Sequence, residues 1–95
     1  MQRFIAVHTL PGFTEGALRA LLKNHPPFPQ GTVCRWTYAD FETGKAFCDW
    51  VAPSKEAILE WFTATQMTYD ALYPVRIVDW ALQEIEPAPV EAVAA

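Results

Sequence analysis

The segment KAFCDWVAP, residues 45–53, places a thiol and a carboxylate side by side within an otherwise apolar stretch. The surrounding residues are typical of a buried β-strand, where a carboxylate is costly unless it is paired. We expect Asp49 to pair with Arg35 on the neighbouring strand, and a role for Asp49 as a ligand or base stays open. Cys48 is then the candidate reactive group of the segment.

A histidine in the first predicted strand is the second candidate. His8 lies near the middle of residues 3–10, and we expect this strand to lie beside the Cys48 strand and parallel to it. If the two side chains share a face, an imidazole nitrogen and a thiolate converge, which is a donor pair that suits nickel, zinc or copper. The simpler alternative is that His8 is a hydrogen-bonded core residue.

Four further side chains could bind an organic cofactor or ligand. A flat molecule binds best in a pocket with apolar and aromatic walls. The candidates are Trp36, Tyr38, Trp50 and Met67. Aromatic residues of this kind also form ordinary cores, so the pattern alone does not separate the two roles. No CxxC, HExxH, phosphate-binding glycine loop or GxSxG motif occurs, so any site must be assembled across strands.

The hydrophobic pattern predicts the elements that must position these residues. Strands are predicted at 3–10, 32–41, 46–52 and 75–86, and helices follow Thr14 and Ser54, each of which is a good N-cap. The order β-α-β-β-α-β is that of a ferredoxin-like α+β sandwich. We expect a four-stranded antiparallel sheet in the order 4-1-3-2 with both helices on one face.

The second and third strands are predicted to form a hairpin around Gly44. With a three-residue loop, Phe41 pairs with Lys45, and Tyr38 lies opposite Cys48. A slip of one residue would turn every side chain of a strand to the other face.

The same register predicts that Trp36 lies opposite Trp50. It places Cys34 about four residues from the partner of Cys48, a separation on the order of 13 Å. Because a disulfide tolerates about 7 Å between Cα atoms, both cysteines are predicted to be free thiols.

Length and composition favour one small globular domain. The chain has 95 residues, of which 52% are hydrophobic. We expect the domain to span residues 1–86 and a flexible Pro/Ala-rich tail to span 87–95. Because the predicted strands are apolar on both faces, a second copy is expected to cover the face without helices, as in a dimeric α+β barrel.

The charge pattern argues against nucleic-acid and membrane partners. The net charge is -4, and the seven Lys and Arg residues are scattered singly along the chain. Nucleic acids and anionic membranes are bound by clustered positive charge. No segment has the character of a signal peptide, which predicts a cytoplasmic location.

Four segments in this order, FIAVHTLPGFTEGAL, CRWTYAD, GKAFCDWVAPSKEAI and YPVRIVD, resemble a family of small bacterial domains of unknown function. Some members are described as nickel-binding ferredoxin-like proteins. The resemblance covers roughly residues 4–79, and His8, Trp36, Cys48 and Ala52-Pro53 match the pattern. It implies a homodimer with a cavity that holds His and Cys side chains. The segment TQMTYD departs from the Gly-Leu-Pro-like segment of the pattern.

The leading hypothesis is a cytoplasmic homodimer that binds a transition metal, nickel above others, through His8 and Cys48. The alternative is a dimeric α+β barrel enzyme, such as a cofactor-free monooxygenase, isomerase or cyclase, acting on an aromatic small molecule. In that case the aromatic side chains line the substrate pocket and His8 is the acid/base.

Overall fold

The computed structural model describes residues 1–89 as an α+β structure with a four-stranded antiparallel sheet and two helices. Most of the predicted tail, residues 90–95, lies outside the described residues. The elements are β1 Gln2–Thr9, α1 Glu15–Asn24, β2 Val33–Asp40, β3 Lys45–Ala52, α2 Lys55–Thr65, β4 Ala71–Val75, β5 Val78–Asp79 and β6 Glu84–Ile85. Thr14 and Ser54 cap the two helices as predicted, since their hydroxyls accept hydrogen bonds from Ala17 and Ala57.

The sheet has the strand order β2-β3-β1-β4, and every neighbouring pair is antiparallel. The expectation that the His8 and Cys48 strands run parallel is therefore wrong. The connection through α1 brings β2 into the sheet in the direction of β1, and the hairpin then reverses the chain. In the resulting register His8 lies opposite Ala46 and Cys48 lies opposite Ala6.

The last strand of this sheet begins earlier than predicted. β4 starts at Ala71, just after the Asp70 N–H donates to the Val7 carbonyl at 2.7 Å. Pro74 does not interrupt β4, because β4 is an edge strand and needs donors on one side only. Much of the predicted strand over 75–86 instead forms the separate two-stranded β5-β6 unit.

The hairpin between β2 and β3 corrects the predicted register. Asp40, not Phe41, pairs with Lys45, so the loop has one more residue than expected. Gly44 adopts φ +76°, and a Cβ at this position would lie 2.6 Å from the Leu10 carbonyl oxygen. The slip turns Tyr38 away from Cys48 and brings Thr37 opposite it.

A β-bulge at Arg35 shifts the register a second time. Beyond the bulge, Cys34 lies opposite Trp50, whereas Trp36 lies opposite Asp49. The predicted pairing of Trp36 with Trp50 is therefore wrong. Because the extra residue compensates for the slip, Cys34 returns to the face that carries Trp50 and Cys48.

The core lies between one face of the sheet and α2. Three side chains of this helix, Ile58, Trp61 and Phe62, are buried. They belong to one cluster with Phe4, Ala6, Cys48, Trp50, Ala52 and Leu72. The Trp50 and Trp61 rings meet at 5.3 Å in an edge arrangement, which is favourable for aromatic pairs.

The first helix packs differently, since none of its residues is buried. Its apolar residues Leu18 and Leu21 border a cavity rather than interlocking with the core. Neither α1 nor α2 has the length and apolar character required to cross a membrane.

The other face of the sheet is rich in exposed aromatic side chains. Trp36 is 48% exposed, and Tyr38, Phe47 and Tyr73 are also exposed. In the separate β5-β6 unit, Trp80 is 87% exposed.

Asp49 has a different partner from the one predicted. Arg3 Nη1 donates to both carboxylate oxygens of Asp49 at 3.0 Å, and Arg3 Nη2 donates to Glu86 at 3.3 Å. The expected Arg35–Asp49 pair is wrong because Arg35 occupies the bulge, where its guanidinium lies 4.6 Å from the centre of the Trp36 ring. Asp49 is therefore a buried, paired carboxylate.

Candidate metal centre and adjoining cavity

His8 is held in one orientation on the core face, near the end of β1. It is 1% exposed, and its ring packs edge-on against Phe62 at 5.2 Å. Its Nδ1 lies 2.7 Å from the Thr68 carbonyl oxygen, which can only accept a hydrogen bond. Nδ1 must therefore carry a proton, and in the neutral imidazole the lone pair is on Nε2.

The Nε2 atom of His8 is buried and has no hydrogen-bond partner among residues 1–89. A buried polar atom without a partner costs free energy, so a function usually accounts for it. Imidazole groups that ligate metals commonly donate their other N–H to a backbone carbonyl. His8 and Thr68 have this arrangement.

Cys48 lies on the same face as His8, one diagonal step across the β1-β3 pair. Thr37 donates its hydroxyl to the Cys48 sulfur at 3.2 Å. Hydrogen bonding with Cys34 lowers the pKa of Cys48 most, and His8 and Thr37 lower it further. Together they outweigh burial, which acts in the opposite direction, so the thiolate is favoured.

The pKa of His8 moves in the complementary direction. Burial alone lowers the pKa of His8, but interaction with the Cys48 sulfur and with the Thr68 carbonyl raises it by more. The surroundings of His8 therefore favour a positive charge at Nε2, directly beside a sulfur that favours a negative charge. A cation bound to both atoms would satisfy both preferences.

Cys34 lies much closer to Cys48 than the sequence predicted. Its sulfur is 3.8 Å from the same Thr37 hydroxyl that contacts Cys48. The register shift reduces the expected offset of four residues to two, since Cys34 lies opposite Trp50. Both cysteines are free thiols, as predicted. Interaction with Cys48 and burial both raise the pKa of Cys34, so Cys34 keeps its proton.

A cavity of about 320 Å³ adjoins the two sulfurs. It lies between α1 and the β2-β3 part of the sheet, and its wall includes Leu18, Phe28, Cys34, Cys48, Trp50 and Trp61. The wall is mainly apolar, which suits an organic ligand. The indole Nε1 of Trp50 is buried and has no hydrogen-bond partner among the described residues.

The residues predicted to bind an organic ligand divide between two places. Trp50 and Met67 border the cavity. Trp36 also borders it, at the edge strand β2, although its register with Asp49 places it on the opposite face. Tyr38 lies on that opposite face, where it is 66% exposed. Sequence reasoning missed Thr37 because the one-residue slip placed it on the wrong face. It missed Thr68 because this residue acts through its backbone carbonyl, which has no sequence signal.

The described part of the chain, residues 1–89, contains no cluster of three or more His, Cys, Asp or Glu side chains able to hold a metal ion. A metal ion here would therefore have at most two such side chains as donors, His8 and Cys48 being the candidates, and other donors would have to complete its coordination. No family model matches the chain, and no curated protein or solved structure is significantly similar to it.

Proposed function

We propose that this protein is a small cytoplasmic transition-metal-binding protein, with nickel as the metal, that binds through His8 Nε2 and Cys48 Sγ. The observation that carries the proposal is the buried Nε2 of His8, which has no hydrogen-bond partner within residues 1–89 and lies beside a thiol of lowered pKa. The fixed Nδ1–H···O=C bond to Thr68 keeps the lone pair on Nε2.

The donor chemistry supports a borderline or soft cation. Imidazole nitrogen suits nickel, zinc and copper, and thiolate selects against hard cations such as magnesium and calcium. Because a metal must displace the protons of its ligands, the lowered pKa of Cys48 favours binding at neutral pH, whereas the raised pKa of His8 opposes it. Nickel is the metal that the family resemblance implies. Water, backbone oxygens or groups of a second subunit supply the remaining donors.

The proposal includes a ferredoxin-like homodimer of the α+β barrel type. The exposed face of the sheet carries aromatic side chains that a monomer gains nothing by presenting to water, Phe47 and Tyr73 among them. The β5-β6 unit carries further exposed apolar side chains, Trp80 and Leu82. A second copy offers the same surface, as a two-fold interface requires.

Titration calorimetry with nickel on the reduced protein tests the metal site. We expect His8→Ala to weaken nickel binding by more than about tenfold, since loss of even a supporting group costs this much at metal sites. His25→Ala is the matched control, because His25 is the other histidine of the chain and its Nδ1 pairs locally with the Pro26 carbonyl. Equal binding by parent and His8→Ala would place the site elsewhere.

The thiolate donor has its own readout. Nickel bound to Cys48 should give a sulfur-to-metal charge-transfer band in the near ultraviolet, and Cys48→Ser should abolish that band. Cys34→Ser is the matched control and should retain it. If the parent binds neither nickel, zinc nor copper better than millimolar, the metal function is wrong.

The cavity supports a second candidate function, an enzyme that acts on an aromatic small molecule without a cofactor. The specific observation is the apolar cavity of about 320 Å³, whose wall includes Trp50, and the indole N–H of Trp50 has no hydrogen-bond partner in the described part of the chain. A ligand with a carbonyl or phenolic oxygen would accept this hydrogen bond. Phenol and benzoate are suitable probes, and their saturable quenching of tryptophan fluorescence in metal-free protein, together with failure to bind nickel, would favour this function.

A further inference from the structure

The structure places close together two thiols that the sequence predicts to lie about 13 Å apart. Cys34 and Cys48 lie on one face of neighbouring strands, two residues apart in register, and both sulfurs contact the hydroxyl of Thr37. Both also border the same cavity. The two sulfurs are also close enough to interact with each other, since a Cys34–Cys48 hydrogen bond contributes to the pKa shifts of both thiols.

We infer that Cys34 and Cys48 form a redox-active dithiol, which a hydroperoxide oxidises to an intrachain disulfide. The bulge at Arg35 makes this geometry, because it brings Cys34 opposite Trp50 rather than further along the strand. Rotation of the two cysteine side chains then lets the sulfurs meet. A disulfide tolerates about 7 Å between Cα atoms, and diagonal neighbours across a regular antiparallel pair lie about 7–8 Å apart, so closing the bond requires a small backbone movement at the bulge.

The reaction balances with hydrogen peroxide as the oxidant. The O–O bond of the peroxide breaks and one S–S bond forms. The two thiol hydrogens leave in two molecules of water, so that the peroxide is reduced as the thiols are oxidised. A small dithiol such as dithiothreitol reverses the reaction by returning two electrons and two hydrogens.

The cavity is the path by which a small oxidant reaches the two sulfurs. Cys48 is 9% exposed, so that a bulky disulfide reagent reaches it poorly. Hydrogen peroxide is close to water in size and enters a cavity of about 320 Å³ readily. We therefore expect hydrogen peroxide to oxidise the folded protein much faster than oxidised glutathione does.

The test uses the reduced full chain in the presence of a chelator, so that its outcome does not depend on metal binding. After one equivalent of hydrogen peroxide, thiol titration in denaturant should fall from two thiols per chain to none. Intact mass should fall by two hydrogen atoms with no dimeric species, and dithiothreitol should restore both thiols. Retention of both thiols, or a product linked only between chains, would overturn the inference.

Single variants test whether both cysteines are needed for the disulfide. Cys34→Ser should block the disulfide, and peroxide should then add oxygen atoms to Cys48 instead. Cys48→Ser should likewise yield no intrachain product. Thr37→Val keeps both thiols and the side-chain shape, so it should still form the disulfide and serves as the folded control. Oxygen adducts on the parent at the rate seen in Cys34→Ser would contradict the inference.

Discussion

The two faces of the same sheet have opposite surroundings. In β1, Phe4, Ala6 and His8 are buried against the core, whereas Ile5 and Val7 alternate with them on the other face and are only partly covered. The alternation follows from the two-residue period of a strand. One strand therefore supplies both a preorganised site and an apolar surface, and the two can be changed independently.

The face with helices should carry most of the stability. Trp50→Ala removes a fully buried indole and should lower the free energy of unfolding by about 3–5 kcal/mol. Trp36→Ala is the matched control on the other face, and it should cost less than half as much because Trp36 is half exposed. Urea unfolding followed by circular dichroism measures both. Equal losses would mean that a subunit interface covers Trp36 as completely as the core covers Trp50.

The exposed face contains one buried electrostatic pair, Arg3 with Asp49. Arg3→Met should cost about 3 kcal/mol, since it leaves the Asp49 carboxylate buried without a partner. The double variant Arg3→Met/Asp49→Leu should recover a large part of this loss, because a carboxylate without a partner is costlier than an apolar pair. Urea unfolding of the three proteins gives the comparison. A double variant as unstable as Arg3→Met would mean that the pair contributes through specific geometry.

The apolar character of the exposed face predicts self-association. Phe47→Glu places a charge in the middle of this surface and should weaken the dimer at least tenfold, so that light scattering at micromolar concentration reports half the mass of the parent. Leu22→Glu is the control, because Leu22 is an exposed apolar residue of α1 and does not belong to this face of the sheet. A parent that is monomeric at this concentration would contradict the proposed dimer.

Much of the fold could be predicted from local signals. Thr14, Ser54 and the apolar stripe of α2 specify the helices through capping and periodicity, and Gly44 specifies the hairpin through its positive φ. These signals act over a few residues, so a single sequence contains them. The α+β class with a four-stranded antiparallel sheet and two helices followed from them.

The detailed site was harder to predict because it depends on register. A loop one residue longer than expected and a bulge at Arg35 decide which of Thr37 and Tyr38 faces Cys48. Neither feature has a distinct sequence signal here. The Thr68 carbonyl that orients His8 is a backbone group, which any residue could supply. His8 and Cys48 could be named from their chemistry, whereas the groups that hold and tune them could not.

The smallest expected effect concerns Glu86, the second partner of Arg3. The hydrogen bond from Arg3 holds the pKa of Glu86 below its ordinary value of 4.5. A carboxyl group with a lowered folded pKa stabilises the protein above its unfolded pKa, and the contribution is lost as the pH falls through the folded value. Because the Glu86 side chain is about a third exposed, solvent screening limits the effect to about 0.5 kcal/mol.

Glu86→Gln should therefore lower the free energy of unfolding slightly at pH 7 and have no effect once the pH is well below the lowered folded pKa of Glu86, where the parent carboxyl is also protonated. The difference at pH 7 should shrink in 1 M NaCl, since the Debye length falls to about 3 Å. Glu84→Gln in β6 is the control, because it removes the same charge outside the ion pairs of Arg3. Urea unfolding at several pH values checks both variants. A loss of several kcal/mol in Glu86→Gln would mean that Glu86 is buried in the assembled protein, and would extend the interface of the exposed face to the residues that follow β6.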